Sequence, residues 1–147
     1  MKPLGLFLVS FTLLTIAPSA SADIGADAKA YFETALQVYL DSGPRAFIEY
    51  SMKNGALEGN PQAISQANVL QQIQDLGGKP KSFEVSSVTK LSDRGVELLY
   101  VINLEKLPIF GNALLFQSSG GAMTVVTFNF NSAPEKVWPE HRVYGVP

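Results

Sequence analysis

No cysteine occurs anywhere in this sequence, and histidine occurs once, at position 141. The first absence excludes disulfides, thiolate metal sites and the acylated cysteine of a lipoprotein. The second excludes a metal site built from several imidazoles and leaves any Ser-His-Asp arrangement dependent on His141, close to the C-terminus. Clustered positive charge is lacking as well. The 11 Lys and Arg residues are outnumbered by 13 Asp and Glu and are scattered singly, with Lys79 and Lys81 the nearest to a pair. Neutralising nucleic-acid phosphates needs grouped cations, so nucleic acid is excluded as a partner. The glycine pairs Gly77-Gly78 and Gly120-Gly121 lack the spacing and the following helix of a phosphate loop and read as turns. No cofactor, metal site or catalytic residue is implied. No N-x-S/T sequon is present, since Asn60 precedes proline and Ser132 directly follows Asn131.

What the sequence does contain begins with a leader. Lys2 is followed by an apolar run from Leu4 to Ala17, then Pro18 and the small residues Ala20-Ser21-Ala22. These are the three regions of a secretory signal peptide, with cleavage expected before Asp23. The run of about 14 residues is shorter than the roughly 20 needed to cross a bilayer, which argues against an uncleaved anchor. Residues 1–22 are thus expected to be removed, leaving an exported chain, periplasmic or secreted, of bacterial type and with no membrane span. Removal of Lys2 makes the net charge of −2 one unit more negative. Residues 23–132 are sufficient for one domain and 133–147 form a tail.

Within the domain the hydrophobic period is first helical, then alternating. Tyr31, Phe32, Ala35, Leu36, Tyr39 and Leu40 recur at three- and four-residue spacing and predict a helix from Ala26 to about Leu40. Ser42-Gly43-Pro44 ends it and starts a second, with Phe47, Ile48 and Met52 inward and Asn54-Gly55 as its stop. Asn60-Pro61 starts a third, whose stripe is Ile64, Ala67, Leu70, Ile73 and Leu76. From Ser82 the alternation predicts four strands, near Phe83–Leu91, Val96–Lys106, Ile109–Gln117 and Ala122–Asn131, with turns at Ser92-Asp93-Arg94-Gly95 and Ser119-Gly120-Gly121. Leu98, Tyr100, Ile102 and Leu104 form an inward row on the second strand, and Val126, Phe128 and Phe130 are expected to do so on the fourth.

The opposite face mixes Leu99, Val101, Val125 and Thr127 with Asn103, Asn129 and Asn131, too apolar to be left fully in water. A partner subunit or the tail is expected to cover it. The tail, too proline-rich for a regular helix, carries Trp138, which is expected to pack back onto the sheet.

Candidate site residues follow from this layout. Tyr39, Tyr100 and Phe128 sit where an apolar cavity between helices and sheet would be lined, the tyrosines offering hydroxyls to a ligand. Glu49 and Glu105 are the carboxylates best placed to act as a general base if buried.

The order of three amphipathic helices followed by a curved antiparallel sheet, from about Ala26 to Ser132, resembles the nuclear transport factor 2-like superfamily. This is the cone-shaped α+β fold also used by ketosteroid isomerase and scytalone dehydratase. The closing strand Thr124-Val125-Val126-Thr127-Phe128-Asn129-Phe130-Asn131, followed by Ser132-Ala133-Pro134-Glu135, looks like the close of small exported members of that group. Members often place a strand or hairpin between the second and third helices, where this chain has only Lys53 to Gly59. The expected fold is α+β, three N-terminal helices packed on one face of a curved four-stranded antiparallel sheet, a nuclear transport factor 2-like or cystatin-like cone. The resemblance implies a pocket without assigning an activity. The expected function is an exported, non-enzymatic binding or protein-interaction module. Its expected partners are a small apolar ligand and a second copy of the chain, a homodimer formed through the outer sheet face. The alternative is an isomerase- or dehydratase-like enzyme with its site in the cone.

Overall fold

A computed structural model describes residues 23–145. The expected leader, residues 1–22, lies outside the described residues. The chain is α+β, in the order α1 (Ile24–Met52), α2 (Pro61–Gly77), β1 (Pro80–Lys90), β2 (Gly95–Leu104), β3 (Pro108–Gln117) and β4 (Met123–Asn131). A 3-10 turn (Pro134–Lys136) and α3 (Glu140–Tyr144) follow. The strands form one curved antiparallel sheet in the order β1-β2-β3-β4.

Asp23 caps α1, its carboxylate accepting from the Gly25 N–H at 3.0 Å. The two helices expected on either side of Gly43-Pro44 form a single 29-residue element broken at Gly43, whose φ of +85° is open to glycine and costly for other residues. The break turns the chain back on itself. Tyr31 and Tyr50, which a straight helix would hold roughly 28 Å apart, stack at 5.5 Å, and the Tyr31 hydroxyl donates to the Tyr50 carbonyl at 2.9 Å. Phe32 meets Phe47 edge-on at 6.0 Å, so each limb buries aromatic rings against the other.

Asn60 caps α2 through Oδ1, which accepts from Gln62 and Ala63 N–H groups, and Pro61 occupies the first helical turn. The expected stripe is only partly inward. Ala67 and Leu70 are buried, whereas Leu76 is 75% exposed. With 3.6 residues per turn, a spacing of exclusively three winds round the helix and leaves the core before the fifth position.

The core lies between the helices and the inner face of the sheet, where Leu98, Tyr100, Ile102 and Leu104 are buried. Phe128 and Phe130 pack against it as expected, but Val126 does not. Leu115 pairs with Val125 and Leu114 with Thr127, so Val126 is the extra residue of a β-bulge and is 44% exposed. Val125 takes the inward place. In the tail, Pro139 is followed by one short helix, α3, where no regular helix was expected, since proline is tolerated just ahead of a helical turn.

Candidate functional site

The structure brings Tyr39, Tyr100 and Phe128 into one aromatic cluster. Phe47 touches Tyr39 at 5.8 Å and Phe128 at 6.1 Å between ring centroids, and Phe32 joins Phe47 to Tyr100 at 4.9 Å from the latter. Both tyrosines are fully buried. The Tyr39 hydroxyl donates to Gln74 Oε1 at 2.9 Å, while the Tyr100 hydroxyl has no partner among the described residues. Burial pushes the Tyr39 hydroxyl up to about 12 and raises that of Tyr100 further, with the neighbouring Tyr39 adding to the second. Phe128 is half-buried and borders a shallow cleft of about 320 Å³ with Met52, Ala63 and Thr127.

The carboxylates lie elsewhere. Glu49 accepts from Arg45 Nε at 2.8 Å on the surface of α1. Glu105 pairs with Lys81 at 2.8 Å, and this bond, with the Lys79 N–H, holds its carboxyl below the usual range. Neither borders the clefts described here, so neither is placed to take a proton from a bound molecule. His141 is exposed on α3.

The outer face of the sheet divides into two halves. Strand register puts Leu99 and Val101 of β2 on it, beside Asn112 and Phe110 of β3. The tail crosses here. Trp138 stands edge-on to Phe110 at 5.1 Å and its indole N–H donates to the Gly111 carbonyl at 2.9 Å. Asn112 donates to the Val137 carbonyl at 2.8 Å and accepts from Asn129 at 3.0 Å, and Arg142 reaches Ser87 at 2.9 Å. Leu99 and Val101 are each left only 5% exposed.

Two rows further along, the same face is open. Register there aligns Leu114 with Glu97 and Thr127, and Phe116 with Gly95 and Thr124. A cleft of about 610 Å³ lies over this half, walled by Leu57, Leu91, Leu114, Phe116 and Val126. Its polar walls are uncharged: Asn54, Ser92, Ser118 and Thr124. Leu91 is 57% exposed, and Phe116 and Val126 also stand in water, an apolar patch of the kind that marks binding sites. Thr124 forms the floor near the β4 edge. Its hydroxyl is buried, without a partner among the described residues, beneath Gly55, where an added Cβ would lie 2.3 Å from Oγ1.

The sequence reading missed this cleft. Its walls come from the α1–α2 loop, the β1–β2 turn, β3 and β4, and in each segment the apolar residue reads as ordinary core. One signal was available: Leu91 and Phe116 are large apolar residues next to turns, where side chains usually emerge into water. Comparison with protein-family models, with curated proteins and with solved structures finds no match for the chain.

Proposed function

We propose that this chain is an exported, non-enzymatic binding module on a nuclear transport factor 2-like cone, and that it holds a small apolar ligand on the open half of the outer sheet face. The observation that carries this reading is the cleft itself, with its large apolar walls and uncharged polar groups on a sheet whose other half is already closed by the tail. Its volume falls within the range of small-molecule sites, roughly 300–1,000 Å³. The helix-side candidates Tyr39 and Tyr100 support the scaffold in this reading, because their rings fill the interior between α1 and the sheet.

Native mass spectrometry of mature protein, prepared without detergent, is the test. Small added masses are expected, and Leu114→Asp, which puts a charge on the cleft floor, should abolish them. A bare monomer mass in the unaltered protein would overturn the reading. A mass at twice the subunit value, lost in the same variant, would assign the open half to a homodimer instead.

A further inference from the structure

The geometry points to an aliphatic carboxylate, a single-chain fatty acid, as the ligand of the cleft, with Arg94 holding its head group. The inference rests on the cleft being the binding site and adds which chemistry it selects.

Arg94 belongs to the turn between β1 and β2, and its guanidinium carbon stands 4.6 Å over the ring of Phe116, one of the cleft's walls. Its Nε–H donates to the Gln117 carbonyl at 2.8 Å. Its backbone N–H donates to the hydroxyl of Ser92, another wall, at 3.3 Å. The guanidinium is therefore held in place by an aromatic face and a carbonyl, neither of which neutralises its charge. Among the described residues Arg94 makes no ion pair. Other described cations are unpaired too, Lys53, Lys106 and Lys136 among them; what distinguishes Arg94 is that its guanidinium is seated on a wall of the cleft. Asp93, its neighbour in the turn, is engaged with Lys90 at 3.1 Å. Glu97, opposite Leu114 on the same sheet face, makes no ion pair with it among the described residues.

A positioned cation without a counter-ion, on the rim of an uncharged apolar cleft, matches a molecule with one anionic end and a hydrocarbon body. The two Nη groups form a planar fork suited to the two oxygens of a carboxylate. From there the hydrocarbon would run along Phe116 and Leu114 toward Val126 and Leu57. A neutral hydrocarbon would leave the cation unused, and a cationic amphiphile would be repelled by it.

The test is calorimetric titration of the mature full chain with dodecanoate, dodecanol and dodecyltrimethylammonium, each below its micelle concentration. Dodecanoate is expected to bind about tenfold more tightly than dodecanol, the size of a solvent-accessible charge-assisted hydrogen bond, and the ammonium ligand most weakly. Arg94→Gln should remove the preference, bringing dodecanoate to the affinity of dodecanol, and dodecanol binding that is retained shows that the cleft survives the change. Arg94→Lys should retain part of the preference, and added salt should weaken dodecanoate alone. Equal binding of dodecanoate and dodecanol, or a preference that persists in Arg94→Gln, would overturn the head-group assignment and leave the cleft as a site for neutral ligands. If none of the three binds, the cleft reading falls with it.

Discussion

The two halves of the outer sheet face are made from the same strands and end in opposite states. On one, Phe110 lies under Trp138, and Leu99 and Val101 are removed from water. On the other, Phe116 and Val126 stand at the surface beside Leu91. Both halves carry large apolar residues, Leu99, Val101 and Phe110 on one and Leu114, Phe116 and Val126 on the other, so apolar content does not separate them. What differs is the covering segment. The tail leaves β4 at the Asn131 end and crosses over Gly111 and Asn112 to Ser87, and so it never reaches the rows of Leu114 and Phe116. Covered apolar area contributes to folding, and uncovered apolar area remains available for binding.

Four perturbations would break or sharpen that contrast. The largest effect is expected at Gly111, which pairs with Tyr100 and lies under its ring. A Cβ there would sit 2.2 Å from Tyr100 Cζ, so Gly111→Ala must displace a fully buried aromatic. A loss of about 3 kcal/mol is expected in urea unfolding, and unchanged stability would show that the ring has room to move. Next, Trp138→Ala should turn the closed half into a second open one. A half-buried Trp with one hydrogen bond gives an expected loss of about 2 kcal/mol. New binding of an apolar dye should accompany it, and no gain in dye binding would mean that the tail stays docked without the indole.

The third perturbation acts on the inner face beneath both halves. Tyr39 has its hydroxyl pushed up to about 12 by burial, against 10.0 when unfolded. Below pH 10 both states hold the proton and stability does not depend on this group. Between pH 10 and 12 the unfolded chain gives up its proton while the folded one keeps it, so stability falls as pH rises. The slope is about 1.4 kcal/mol per pH unit for each such tyrosine. Urea midpoints measured from pH 8 to 11.5 should be flat and then fall, less steeply in Tyr39→Phe. The same slope in both proteins would show that Tyr39 titrates normally. The smallest effect on folding is expected from Phe116→Ser. Its side chain is already exposed, so stability should change by less than about 1 kcal/mol while ligand binding is lost. A large destabilisation would make the open half structural.

Much of the fold could be read in the sequence because its signals are local. Asn60-Pro61 and Gly43-Pro44 mark helix starts and breaks by the conformations they permit, and the change from helical to alternating period near Ser82 falls close to the start of β1. Trp138 was legible too, since one large aromatic in a proline-rich tail has few places to be buried. Non-local features were hidden. The bulge at Val126 depends on which residue of β3 faces it, and strict alternation alone assigns Val126 to the wrong side. The stripe ending at Leu76 failed because a spacing of three matches a helix for only a few residues. The cleft was the least legible part. Leu57, Leu91, Phe116 and Val126 are far apart in sequence and become neighbours only when the sheet closes its two hairpins at the same end.

Trp138 follows the last residue of β4 by seven positions, and it occupies its seat on Gly111 as part of the same chain. A tether that short gives the indole an effective concentration on the order of millimolar at its own site. A free peptide or lipid present at micromolar levels would therefore have to bind that seat about a thousandfold more tightly than the indole to displace it. Among the described residues the open half has no tethered competitor, so under the proposed function its occupancy would follow the concentration of its ligand. One sheet face thus carries a seat filled by the chain itself next to one that the described chain leaves open.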